Sequence, residues 1–186
     1  MPPGEGLSEQ GASEALALRT ALASEELDLG VATPLLRTQE TLDLALGERQ
    51  IERVVLPGLR EIGFGAFEGG PLAEYRAWAW SHPPDAECPG GGESRTEAAM
   101  RIAAALVALL DRPEEVLLAV SHALPIRYVV DASDGRFPTA RIIPVPHAEA
   151  FSLDADAVAG GGDASGVGRR SELRRPRRLG TIPSWS

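Results

Sequence analysis

The segment 115–122 reads EVLLAVSH, and it decides the fold class of this sequence. Its middle, Val116–Val120, is a continuous apolar run, which is typical of a strand buried on both faces of a parallel sheet. Ser121 and His122 follow directly, and the next residues predict a helix from Pro125 to about Asp131. A buried strand that passes straight into a helix indicates an α/β fold.

The rest of the chain repeats this alternation of strands and helices. Ser8 and Ser94 are expected to cap helices, the second with Glu97 in a capping box. We expect helices over residues 8–26, 34–46, 71–80 and 94–111, and strands over 27–32, 51–56, 115–120 and 148–153. This order predicts a mostly parallel sheet with helices packed against it.

Composition narrows the class of protein. The chain has 186 residues, a net charge of −9 and a single cysteine, Cys88, so it has no intramolecular disulfide and no cysteine-rich zinc site. The longest apolar runs are too short to cross a bilayer, and no secretory signal is recognisable, so we expect a cytoplasmic protein. The acidic body would repel a phosphate backbone, which makes nucleic acid an unfavourable partner.

A change of composition near residue 158 predicts two regions. Residues 1–158 are expected to form one domain and residues 159–186 a disordered, arginine-rich tail, because Ala159–Gly168 consists mostly of Gly, Ala, Ser and Asp. Six of the eighteen arginines follow this stretch, and the sequence contains no lysine. A regulatory or nucleic-acid-binding tail is the alternative interpretation.

Three residues at predicted strand ends are candidates for chemistry. Arg37 lies where a strand meets a helix N-terminus, the place where α/β sheets bind ligands, and its planar fork suits a phosphate. His122 ends the apolar strand at the same edge, although a hydrogen-bonded core histidine has the same pattern. Glu61 follows another strand in a glycine-rich loop, where it is either solvated or held as a general acid. Cys88 does not fit a cysteine-phosphatase loop, and the three histidines lack metal-ligand spacing.

Four motifs occur together in order: Leu35–Thr41 (LLRTQET), Leu59–Gly69 (LREIGFGAFEG), Pro89–Ser94 (PGGGES) and Val116–His122 (VLLAVSH). Together they resemble the phosphoglycerate-mutase-like branch of the histidine phosphatase superfamily, from about Leu7 to Leu153. The resemblance implies a three-layer α/β sandwich around a mostly parallel sheet. It also implies that Arg37 and His122 hold the phosphate, that Glu61 protonates the leaving oxygen, and that a second histidine attacks through a phosphohistidine, with no metal or cofactor.

The sequence departs from that family in one respect that bears on activity. The family's nucleophile lies in an Arg-His-Gly motif at the end of a first, central strand, and no Arg-His-Gly occurs in this sequence. Only six residues precede Leu7-Ser8, so we expect the first strand to be missing, leaving unpaired backbone groups and a gap in the sheet. Three explanations stay open: the start of the sequence lies too late, the protein is a catalytically dead remnant, or His82 or His147 substitutes.

From these observations we expect a histidine-phosphatase-fold protein. Its complete form would hydrolyse a small-molecule phosphomonoester without a metal, and residues 1–186 would be inactive because the nucleophile is absent. The alternative is a non-catalytic module that binds a phosphorylated ligand or a protein. The sequence gives neither the substrate nor the oligomeric state.

Overall fold

A computed structural model describes residues 4–137, 139–147 and 149–154, together with the backbone of residues 178–183. It contains one five-stranded sheet with helices on both faces. The helices are α1 (Glu9–Ala21), α2 (Leu36–Leu46), α3 (Leu72–Ser81), α4 (Arg95–Leu110) and α5 (Ala123–Ser133). The strands are β1 (Leu29–Ala32), β2 (Glu52–Val55), β3 (Val116–Ser121), β4 (Phe151–Asp154) and β5 (Arg178–Pro183).

The apolar run of β3 separates two hydrophobic clusters, because successive side chains of a strand point to opposite faces. Leu118 and Val120 pack in one cluster with residues of α1 and α2. Leu117 and Ala119 belong to the other cluster, which includes residues of α4 and α5. The predicted α/β architecture is therefore confirmed, with helical layers on both faces of the sheet.

Local signals begin the helices where the sequence predicts them. The Ser8 hydroxyl accepts a hydrogen bond from the Gly11 amide at 3.1 Å and caps α1. Ser94 and Glu97 form the predicted capping box at the start of α4. None of the helices in the described ranges is both long enough and apolar enough to cross a membrane.

The order of strands is β2-β1-β3-β5-β4, and only β4 is antiparallel to its neighbour. Since β1, β2 and β3 are parallel and adjacent, the segments that follow them meet at one edge of the sheet. Those segments are the ones that carry the candidate residues.

The C-terminal region differs from the sequence-based expectation. Residues 159–186 were expected to form a disordered tail, but Arg178–Pro183 form β5, an interior strand between β3 and β4. Backbone pairing with two neighbouring strands stabilises this segment, and side-chain composition does not reveal such pairing. The other residues of the expected tail lie outside the described residues. The gap expected beside the central strand is not present at β3, which pairs with β1 on one side and β5 on the other.

Candidate active site

The structure brings Arg37, Glu61 and His122 to the same edge of the sheet. Arg37 lies in the first turn of α2, just after β1, and Glu61 lies in the loop after β2. His122 is the N-cap residue of α5, directly after β3. All three segments therefore leave the carboxyl ends of adjacent parallel strands.

The Glu61 carboxyl contacts the segment that carries His122. It accepts a hydrogen bond from the backbone N–H of Leu124, two residues after His122, and another from the Ile62 N–H at 3.0 Å. Burial nevertheless dominates and raises the pKa of Glu61 to about 7, against the opposing effects of these bonds and of the Arg37 and Arg101 charges. A carboxyl with this pKa holds a proton in a large fraction of molecules at neutral pH.

His122 is buried and linked to β1 by a chain of hydroxyl groups. Its Nε2 lies 3.0 Å from Oγ1 of Thr33, which lies 2.9 Å from Oγ1 of Thr38. The Thr38 hydroxyl donates to the Leu35 carbonyl at 2.8 Å, so with that bond formed Thr38 accepts from Thr33, and Thr33 accepts from Nε2–H of His122. Burial and the charges of Arg37 and Arg101 lower the pKa of His122 to about 3, so the ring is neutral at pH 7.

Arg37 carries a donor that no described residue uses. Its Nε is buried and has no hydrogen-bond partner among the described residues, and desolvation lowers the pKa of its guanidinium. The Arg37 charge acts on both Glu61 and His122, which places the three groups within electrostatic reach of one another. A guanidinium with an unused buried N–H is suited to an anionic ligand.

Arg101 supports the site, and the sequence analysis missed it. Its guanidinium binds both carboxylate oxygens of Glu93, at 2.7 and 2.8 Å, and donates to the carbonyls of Gly58 and Arg60 at 2.8 and 3.0 Å. These contacts tie α4 to the loop that carries Glu61. The signal available in the sequence was an arginine within the otherwise apolar helix 98–110, which an amphipathic pattern alone does not explain.

Glu93 has a different role from the helix-capping role expected from the sequence. It accepts hydrogen bonds from Arg101, from Arg60 and from the Gly63 amide, the last two at 3.0 Å. These interactions lower the pKa of Glu93 in spite of its desolvation. Glu93 is therefore a charged link between the two glycine-rich loops, and Ser94 alone performs the capping.

The two glycine-rich loops approach each other too closely for side chains. Gly65 has a φ of +55°, and a Cβ there would lie 2.2 Å from the Pro89 carbonyl oxygen. A Cβ on Gly92 would lie 2.6 Å from the Gly63 carbonyl oxygen. The glycines of the second and third motifs therefore allow the close contact that fixes the backbone around Glu61.

The other candidates from the sequence lie elsewhere in the structure. His82 is exposed and stacks on Trp78, with ring centroids 4.8 Å apart, and His147 is also exposed. Cys88 is buried, and its thiol lies 3.1 Å from the Phe64 carbonyl oxygen, to which it donates. Within the described residues no group of His, Cys, Asp or Glu side chains has the geometry to hold a metal ion.

Comparison with known proteins agrees with this site. The family model of the histidine phosphatase superfamily (branch 1) matches residues 3–156. The chain belongs to the histidine phosphatase superfamily. This confirms the resemblance drawn from the four motifs, which lie within the matched range.

Several solved structures of phosphatases share the fold. An alpha-ribazole phosphatase from Shigella flexneri is 25% identical, with a TM-score of 0.60, and the match covers 73% of this chain and 70% of that one. A mycobacterial glucosyl-3-phosphoglycerate phosphatase, solved with inorganic phosphate, is 26% identical with a TM-score of 0.57, covering 83% and 73%. The YhfR protein of Bacillus stearothermophilus is 26% identical with a TM-score of 0.63, covering 72% and 69%. Comparison with curated protein sequences gave no match.

Proposed function

We propose that the edge formed by Arg37, Glu61 and His122 binds the phosphoryl group of a small phosphomonoester. The observation that carries this proposal is the position of Arg37, whose charge acts on both other groups and whose buried Nε has no partner among the described residues. A phosphate brings the acceptor oxygens and the negative charge that this arrangement lacks. Relatives named as phosphatases, one of them solved with inorganic phosphate, support the same class of ligand.

In this proposal Glu61 is the general acid. Its pKa of about 7 allows it to carry a proton at neutral pH and to donate that proton to the leaving oxygen of an ester. A bound phosphate dianion disfavours the carboxylate further, so substrate binding favours the protonated form. The raised pKa therefore supports the acid role that the family resemblance implies.

His122 supplies a second phosphate contact from the end of β3. It is neutral without a ligand, and a nearby dianion raises the pKa of the imidazole and so favours its cationic form. A histidine nucleophile would complete the reaction by taking the phosphoryl group, and water would then hydrolyse the phosphohistidine. His82 and His147, the other histidines of this sequence, are exposed, and neither follows a parallel strand of the sheet.

Residues 1–186 are therefore proposed to bind phosphate esters without turning them over. The complete form, with a histidine nucleophile, is proposed to be a metal-independent phosphatase. A non-catalytic role as a phospho-ligand-binding module uses the same three residues, and Arg37 is essential in both cases.

The test is calorimetric titration of residues 1–186 with inorganic phosphate. We expect Arg37→Met to weaken phosphate binding by about tenfold or more, because it removes a charged hydrogen bond. The matched control is Arg53→Met, which removes an exposed arginine paired with Asp43 on β2 and should leave binding unchanged. Absence of phosphate binding, or equal losses in the two variants, would overturn the proposed site.

A second measurement tests the proposed inactivity. Incubation of the same chain with p-nitrophenyl phosphate in the presence of a chelator should release no p-nitrophenol above the level seen with Arg37→Met. Sustained hydrolysis that disappears in Arg37→Met would show that another group acts as the nucleophile, and it would contradict the inactivity while supporting the site.

A further inference from the structure

The C-terminal strand β5 occupies an interior position of the sheet. Its six residues pair in parallel with all six residues of β3, from Val116 opposite Arg178 to Ser121 opposite Pro183. On the other side it pairs antiparallel with the four residues of β4. The end of the chain therefore satisfies the backbone groups along one edge of β3 and along β4.

These contacts are of a kind that an extended segment can make from any covalent connection. Ladder hydrogen bonds join backbone groups, and β-strand addition uses them to bind an extended peptide at an open edge. Departure of β5 would leave the edges of β3 and β4 open, and unpaired backbone N–H and C=O groups favour recapture of a strand.

The connection to β5 is much longer than the geometry requires. Asp154, the last residue of β4, is the register partner of Arg178, the first residue of β5. Two antiparallel strands that pair at such positions are ordinarily joined by about two to five residues. Here residues 155–177 lie between them. The entropic cost of closing a loop grows with its length, so a long connection weakens the advantage of the attached strand over the same segment supplied separately.

We propose that the position between β3 and β4 is an exchangeable strand-binding site whose occupant is the C-terminal segment Arg178–Pro183. The segment fills the site from its own chain in the structure, and the same segment supplied in trans can replace it. This inference goes beyond the proposed phosphate site and does not depend on it, because it concerns only the pairing of β3, β4 and β5.

The test uses a fluorescent peptide of residues 177–186 and two variants of the intact chain. Thr181 lies opposite Ala119 on β3 and Phe151 on β4. Thr181→Pro removes one backbone N–H from an interior strand, whereas the matched control Thr181→Val keeps it in a β-branched residue. We expect the peptide to bind Thr181→Pro at least about tenfold more tightly than it binds Thr181→Val or the unaltered chain, as measured by fluorescence anisotropy.

Hydrogen exchange provides a second readout. Amides of Val116–Ser121 should exchange about tenfold faster or more in Thr181→Pro than in Thr181→Val, and added peptide should restore their protection. If Thr181→Pro fails to fold alone, the peptide but not a scrambled peptide should raise its refolding yield. Equal peptide binding by the two variants, or unchanged exchange of β3 in Thr181→Pro, would overturn the proposal.

Discussion

The two sides of β3 are organised in different ways. On the side of β1 and β2, short loops lead from each strand into the candidate site, and hydrogen-bonded side chains such as Thr33, Glu93 and Arg101 fix those loops. On the side of β5 and β4, the described contacts are backbone ladders, and one strand arrives from the end of the chain.

The difference teaches that the site depends on one half of the sheet for its chemistry and on the other half for completion of the fold. Burial of charged and polar groups at the site shifts the pKa values of Glu61 and His122 in opposite directions. Disturbing the site half should therefore change how stability responds to pH. Disturbing β5 should instead change backbone protection along β3.

The largest effect on the site side is expected from Glu61→Gln. The pKa of Glu61 is about 7 in the folded protein and near 4.5 otherwise, so the folded state binds more protons between these values. The free energy of unfolding from this group therefore falls as the pH rises from about 4.5 to 7. We expect Glu61→Gln to be more stable than the unaltered chain by about 2–3 kcal/mol at pH 8, and equal to it near pH 4.

Urea denaturation at the two pH values measures this difference. Glu68→Gln is the matched control, since Glu68 is exposed in the same loop, and it should show no comparable dependence on pH. A Glu61→Gln advantage that is the same at pH 4 and pH 8 would break the link between burial of the site and pH-dependent stability.

The His122 pKa has the opposite sign and sets the acid side of the profile. It is depressed to about 3 from 6.5, so the unfolded state binds more protons between these values. Stability from this group is complete above about pH 6.5 and is lost as the pH falls towards 3. The contributions of Glu61 and His122 therefore oppose each other between about pH 4.5 and 6.5.

A smaller effect is expected from Thr33, which joins His122 to β1. Thr33→Val removes the hydroxyl that lies between His122 and Thr38, and we expect a loss of about 1–2 kcal/mol in the free energy of unfolding. Thr33→Ser keeps the hydroxyl and should lose less than half as much. Equal losses in the two variants would show that packing of the methyl group, and not the hydrogen bonds, stabilises this contact.

Much of the site half could be predicted from local sequence. The apolar run of β3 ends at His122, Pro34 marks the start of the helix that carries Arg37, and Ser94 with Glu97 marks α4. These signals act over a few residues, so they place each side chain at a strand end. Arg101 was missed because its partners, Glu93 and the carbonyls of Gly58 and Arg60, come together only in the folded chain.

The strand β5 could not be predicted for a related reason. Glycine and arginine dominate the residues before it, and that composition indicates disorder. Its position is determined by the backbone edges of β3 and β4, which become available only after the rest of the sheet has formed. Patterns of side-chain hydropathy contain no record of such an edge.

The central claim is that Arg37, Glu61 and His122 share one site. NMR titration of the Glu61 carboxyl and the His122 imidazole, in the unaltered chain and in Arg37→Met, tests it most directly. Because the Arg37 charge lowers both pKa values, its removal should raise the pKa of Glu61 above about 7 and the pKa of His122 above about 3, while Arg53→Met moves neither. If both pKa values stay unchanged in Arg37→Met, the three residues do not form a common site.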